Sequence, residues 1–286
     1  MRGFLPLVVL SAFLFTGLYA SHAHAATKPN TNGIVEQLIR IKAEQGDATA
    51  QYNLGVMYAN GKGMTQDDKQ AAFWFRKSAD QGYAEAQLIL GVMYNEGQGG
   101  MSKDYSQAVA WFRKAAEQGL AMAQYNLGVM YARGKGVAQD DEQALVWYRK
   151  AAEQGEAIAQ NNFGAMYANG EGVAQDYKQA AFWYRKAAEQ GLATAQNNLG
   201  TMYIRGEGVV QDDKQAVAWY RKAAEQGYAE AQNNLGVMYA NGKGVAQEDK
   251  QAAFWFHKAA EQGYAEAQNN LGVMYANQTT QKSHRI

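Results

Sequence analysis

Residues 120–155 read LAMAQYNLGVMYARGKGVAQDDEQALVWYRKAAEQG, and this stretch holds two helices and the punctuation between them. From Ala121 to Arg133, Ala123, Leu127, Met130 and Tyr131 recur near one face of a 3.6-residue period. Gly134 fits the left-handed residue that closes a helix. A short loop, Lys135 to Gln139, leads to Asp140, which with Gln143 resembles a capping box with aspartate at the N-cap. The second helix is predicted to run to about Gln154, with Ala144, Trp147, Tyr148, Ala151 and Ala152 on its packing side and Gly155 as its stop. Neither helix is long enough to stand alone in water, so each must bury its stripe against its partner and its neighbours.

The unit recurs along the chain. Copies begin at Asp47, Tyr83, Leu120, Glu156, Leu192 and Tyr228, and a truncated copy begins at Tyr264. The spacing is 36 residues throughout, except for one extra residue in Gly97-Gln98-Gly99-Gly100 of the second copy. All six tryptophans share one place in the unit: Trp74, Trp111, Trp147, Trp183, Trp219 and Trp255. A mid-helix glycine also recurs, from Gly55 and Gly91 to Gly236 and Gly272, although glycine there costs about 1 kcal/mol against alanine. The compensation expected is closeness, a large aromatic of the partner helix lying against bare backbone. Tyr58, Tyr94, Tyr131, Tyr167, Tyr203 and Tyr239 are expected in the core with the tryptophans, and the Arg-Lys pairs such as Arg149-Lys150 on a solvated face. Ile34 to Gly46 reads as an orphan second helix and Tyr264 to Asn277 as an orphan first helix. Both are expected to act as caps, and the caps lead one to expect a monomer.

The motifs Ala-x-Ala-Gln-x-Asn-Leu-Gly-x-Met-Tyr, then Gly-x-Gly-Val-x-Gln-Asp, then Gln-Ala-x-x-Trp-Tyr-Arg-Lys-Ala-Ala-Glu-Gln-Gly resemble the Sel1-like repeat, a relative of the tetratricopeptide repeat. The resemblance covers Asp47 to Asn277. It implies an all-α fold, a right-handed superhelix (solenoid) of antiparallel helix pairs with a concave side that faces ligand. It also implies an adaptor role in signalling, secretion, envelope biogenesis or host interaction. A cysteine-rich Helicobacter branch of the family, described as binding penicillin, carries a disulfide in each repeat. This chain has no cysteine.

The N-terminus reads as an export signal. Arg2 precedes an almost wholly apolar run from Phe4 to Ala20, and Ala23-His24-Ala25 fits the small-x-small cleavage rule. The expected organisation is therefore a signal peptide at 1–25 cleaved after Ala25, a flexible segment at 26–33, the repeat array at 34–277 with its cap helix at 34–46, and a polar tail at 278–286. The expected address is the periplasm or the medium, with no membrane insertion after cleavage. With 27 basic and 27 acidic side chains, the chain lacks the basic surface that nucleic-acid binding demands. Without thiols, neither disulfides nor a cysteine-held metal can support the fold.

A helical wheel turns Thr49, Tyr52, Val56 and Asn60 away from the buried stripe of the first helix, with Asn53 at the edge. Tyr125, Val129, Asn161, Ala165, Asn197, Thr201, Asn233 and Val237 occupy the matching side of later units. By analogy with tetratricopeptide folds, this neutral, amide-bearing side lines the concave face and suits an extended peptide or a saccharide-peptide such as a peptidoglycan fragment. A ladder of Asn53, Asn126, Asn162, Asn198, Asn234 and Asn270, broken at Ile89, either clamps a ligand backbone or fixes the stacking of neighbouring helices. The second row, Asn161, Asn197, Asn233 and Asn269, is expected to face further outward and to be the better ligand candidate.

An enzyme is not expected, and no cofactor or metal site is. Beyond the signal segment only His257 and His284 remain, without spaced ligand partners, and no serine begins a Ser-x-x-Lys pattern. Asp67, Asp140, Asp176 and Asp212 recur at N-cap places, so periodicity accounts for them without chemistry. The leading expectation is an exported scaffold that binds a peptide or protein in the cell envelope. Two others stand beside it: an enzyme acting on cell-wall material or β-lactams, and a secreted factor that engages host proteins.

Overall fold

The computed structural model describes residues 31–283, with side chains described for 33–276. The expected signal peptide, most of the segment at 26–33 and the last residues of the tail lie outside the described residues. Up to Gln154 the chain forms one compact unit, and from Gly155 it forms a second. The first unit holds α1 (Thr31–Glu44), α2 (Ala48–Asn60), α3 (Asp68–Asp80), α4 (Ala84–Glu96), α5 (Tyr105–Glu117), α6 (Ala121–Arg133) and α7 (Asp141–Glu153). The second holds α8 (Ala157–Asn169), α9 (Tyr177–Glu189), α10 (Ala193–Arg205), α11 (Asp213–Glu225), α12 (Ala229–Asn241), α13 (Asp249–Glu261) and α14 (Ala265–Ser283). This is an all-α solenoid of paired antiparallel helices.

Local chemistry sets each boundary. Gly134 closes α6 at φ 60°, in the left-handed region. Its N–H and that of Lys135 turn back to the carbonyls of Tyr131 and Met130, which satisfies two orphan acceptors of the helix end. The chain then crosses a short loop and is pinned to the helix it has left, because the Asp140 N–H donates to the Tyr131 carbonyl at 3.1 Å. Asp140 opens α7 by accepting from the Gln143 N–H at 2.9 Å. Asp67, Asp104, Asp176 and Asp212 cap their helices in the same way. In α13 the cap place is taken by Glu248, whose longer side chain makes no cap bond.

The mid-helix glycines from Gly55 to Gly236 do receive aromatics, and the aromatic is the residue after each tryptophan. A Cβ on Gly128 would lie 2.7 Å from the Tyr148 ring, and one on Gly236 would lie 2.7 Å from the Phe256 ring. Phe75, Phe112, Tyr184 and Tyr220 seat on Gly55, Gly91, Gly164 and Gly200. The tryptophans sit further out. Trp74, Trp111 and Trp183 are buried, whereas Trp147, Trp219 and Trp255 are half-buried. Lysine ammonium groups lie over several of them, Lys114 4.0 Å above Trp111 and Lys222 4.1 Å above Trp219.

At the ends, α1 packs on α2 through Ala43 against Ala50 and Leu54. α14 continues past Asn277, the expected end of the array, to Ser283. Gln278 stands where the other first helices have their left-handed glycine, so nothing in the backbone stops the helix there.

Candidate binding face

Glutamine and asparagine side chains, rather than apolar contacts alone, set how one helix pair meets the next. Gln51, Gln87, Gln124, Gln196 and Gln232 occupy one place in the first helices and are all buried. Each donates to a carbonyl near the end of the preceding second helix, as Gln196 does to Ala188 at 3.1 Å and Gln232 to Ala224 at 3.1 Å. The oxygen of each accepts from a second glutamine that follows its own second helix: Gln118 reaches Gln87, Gln154 reaches Gln124 and Gln226 reaches Gln196, each at 2.8 Å. On the other side, arginines bridge to the next repeat. Arg113 donates to the Tyr131 hydroxyl at 2.7 Å, Arg185 to Tyr203 and Arg221 to Tyr239 at 2.8 Å, and Arg76 to Tyr94. These tyrosines are therefore half-buried, with Tyr94, Tyr203 and Tyr239 packed against the core as expected while their hydroxyls bridge to the preceding repeat.

The two asparagine rows bond to each other. In the second unit Asn198 donates to Asn161 at 3.0 Å, Asn234 to Asn197 at 2.9 Å and Asn270 to Asn233 at 2.9 Å. Three of the row expected to face outward lie deep, Asn161, Asn197 and Asn233 being 2%, 1% and 1% exposed, while Asn269 on α14 is exposed. Asn198 and Asn234 are half-buried, and Asn162 is buried with its Nδ2 unpartnered. The wheel misplaced the row because it assumes one buried face. A first helix here is packed by its own second helix, by the preceding one and by the neighbouring first helices, so its buried arc is wider.

The same geometry corrects other candidates. In the first unit Tyr125, Asn126 and Val129 are wholly buried, and Tyr52 is buried with its ring 5.9 Å from Phe75 and 5.1 Å from Tyr83. Asn53 and Val56 are half-buried. Asn126 finds neither a donor nor an acceptor for its amide. Allowing for the extra residue of the second copy, the place that serves Asn198 and Asn234 with an asparagine is Leu88 for Asn126. Thr201 and Val237 stay half-exposed in the second unit, with the Thr201 hydroxyl 3.0 Å from that of Tyr220.

The chemistry that reaches the surface on this side is an acid that the wheel passed over. Glu230, in the first turn of α12, accepts from Asn197 Nδ2 through one oxygen and from the Tyr228 hydroxyl through the other, both at 3.1 Å. Burial first, then the Glu230 charge and the bond to it, push the Tyr228 phenol well above its ordinary value, so it remains a donor. Among the described residues no basic side chain forms an ion pair with Glu230. The clue in the sequence was variation: its place is Thr49, Glu85, Met122, Ile158, Thr194, Glu230 and Glu266 in successive units, while the buried amides repeat. Elsewhere in the second unit Arg185, Tyr203, Val210 and Asp212 line an open cleft of about 490 Å³. No group of three or more His, Cys, Asp or Glu side chains among the described residues is placed to hold a metal. No helix among them is long and apolar enough to cross a membrane.

Such a molecule, helix pairs locked by internal amide ladders with variable side chains along the first helices, is a repeat scaffold for protein or peptide interaction. The Sel1 repeat model matches 48–83, 84–120, 121–156, 157–192, 193–228, 229–264 and 265–283, and the chain belongs to the Sel1 repeat family. It is similar to a protective antigen present in uropathogenic Escherichia coli strains, at 46% identity and TM-score 0.79, over 84% of this chain and 51% of that one. The chain thus spans about half the length of that antigen. It is also similar to a Sel1 repeat protein from Oxalobacter formigenes, at 32% identity and TM-score 0.70, over 80% of this chain and 96% of that one. No curated protein matches the chain.

Proposed function

We propose that the protein is an exported scaffold of the cell envelope whose first-helix face holds an extended peptide segment of a partner protein or a peptidoglycan stem peptide. The observation that carries this reading is Glu230, a carboxylate held in place by Asn197 and Tyr228, without a basic ion-pair partner among the described residues, beside half-exposed Thr201, Asn234 and Val237. A peptide supplies what that surface lacks, namely backbone donors and acceptors for amides and a positive group for the acid. Export rests on the Arg2, Phe4–Ala20 and Ala23-His24-Ala25 pattern. The expected cell-wall or β-lactam-directed enzyme finds no support of its own in the site.

A second reading, a secreted factor that engages host proteins, draws on the likeness to the uropathogenic antigen. Fractionation separates the two, since retention in the periplasm favours the envelope and release into the medium favours the host. The test of the face itself compares the wild type with Glu230→Lys and Val237→Glu, all three shown to melt alike. Soluble peptidoglycan stem peptides and a periplasmic extract are offered to each. Retention by the wild type and loss by both variants supports the reading. Equal retention by all three moves the site off this face.

A further inference from the structure

The first and last described helices are the two halves of a repeat. α1 sits where a second helix sits: Gln51 donates to its Ala43 carbonyl at 3.1 Å, as Gln87 donates to Ala79 of α3 at 3.2 Å. With that register, Val35 and Leu38 of α1 stand at the places of Ala71 and Trp74 of α3, one spacing of 36 residues away. Ala71 and Trp74 are 1% and 9% exposed because α2 covers them. Val35 and Leu38, with no first helix before them among the described residues, are 55% and 50% exposed.

α14 shows the complementary lack. Its Gly272 is the notch that takes a ring in every full repeat, yet a Cβ there would meet nothing within 4 Å. Val273 beside it is 52% exposed, and Leu271 is half-exposed where Leu235 of α12 is wholly buried. The interface between a first and a second helix forms six times among the described residues, so the chemistry that would join these two surfaces is already written in the chain.

We propose that α1 of one copy docks on α14 of a second copy and completes a repeat, with Ile39, at the place of Phe75, over the Gly272 notch and Val35 and Leu38 buried beside it. The contact is heterologous: each copy offers one half and receives the other, so association does not stop at the first pair unless the assembly closes on itself. This departs from the monomer that caps alone lead one to expect. A single helix-on-helix contact lies at the small end of protein interfaces, so the association is weak and depends on concentration.

Sedimentation of the purified chain, over a series reaching some hundreds of micromolar (~10⁻⁴ M), tests this. The wild-type mass should climb above that of one chain. Leu38→Glu should weaken association about tenfold or more, by placing a charge in the joint. Gly272→Leu, which fills the notch at a place open in the single chain, should do the same; Val273→Glu serves if that variant does not fold. The decisive experiment mixes Leu38→Glu with Gly272→Leu. The first keeps a sound α14 and the second a sound α1, so the mixture should form a one-to-one pair that grows no further. A wild type that stays at one chain's mass at every concentration, variants that associate like the wild type, or a mixture that does not pair each overturns the proposal.

Discussion

The glycine that each first helix carries can be tested by giving it one carbon. In Gly128→Ala the new Cβ falls 2.7 Å from Cδ1 and 2.8 Å from Cε1 of Tyr148. Carbon pairs settle at about 3.5–4.0 Å, so the ring must withdraw by roughly 0.8 Å. Tyr148 is wholly buried, with the Tyr125 ring 5.8 Å away, and a packed interior has little slack to give. Overpacking of this kind costs about 1–3 kcal/mol, against about 1 kcal/mol that alanine returns as the better helix former. The net expectation is a loss of about 1 kcal/mol, read as a lower urea midpoint with unchanged slope. Gly272→Ala is the control, since it carries the same change of propensity into open space. It should slow amide hydrogen exchange in α14, a gain approaching 1 kcal/mol. If Gly128→Ala proves stabilising, as Gly272→Ala should, the ring is not seated on backbone and the account of the repeat fails.

Asn126→Leu should stabilise the protein by about 1–3 kcal/mol in urea unfolding, because it removes a buried amide with no partner. Asn234→Leu should instead lower stability by about 1 kcal/mol, since it breaks the 2.9 Å bond to Asn197. Gln196→Leu removes both the donation to Ala188 and the acceptor for Gln226, and a loss of about 1–3 kcal/mol in the same assay is expected. In alkali, burial and then the Glu171 charge hold the Tyr184 phenol above its ordinary 10.0, so the folded protein keeps a proton that the unfolded chain releases. Stability should therefore be intact below about pH 10 and fall as pH rises beyond it, by up to about 1.4 kcal/mol per unit, and Tyr184→Phe should remove that part of the slope.

The architecture was legible because repetition multiplies weak signals. One capping aspartate or one glycine is ambiguous, but the same aspartate, glycine and tryptophan at a fixed spacing leave few alternatives, and α6 follows the pattern to the residue. The ladders were less legible for a physical reason. Gln51 and Gln81 look like surface residues by type, and only their recurrence through Gln268 and Gln262 hints that they are structural. Their role depends on a neighbour about 30 residues away, which no local period reports. The asparagines show the same gap from the other side. Asn161, Asn197 and Asn233 seemed outward because a wheel knows one partner, and the helix has several.

Repetition and function therefore draw on different positions. A side chain that joins one repeat to the next must serve each joint alike, so it is copied: the buried glutamines and the glycine notch recur in unit after unit. A side chain that meets a partner has no such constraint, since a ligand is not periodic on a 36-residue spacing. Where the ladder is imperfect, as at Leu88 opposite Asn126, the chain bears an unsatisfied amide rather than gaining a contact, which marks a flaw in stacking and not a site. Where a first helix varies, as from Ile158 to Thr194 to Glu230, variation places different chemistry on one row, although the Thr194 hydroxyl is buried without a partner and Glu230 serves as acceptor for Asn197. Partner discrimination in this protein should accordingly follow that third residue of each unit more closely than the asparagines that first draw the eye. Exchanging Glu230 with Ile158 is the sharper probe of recognition, because it leaves the glutamine ladder untouched.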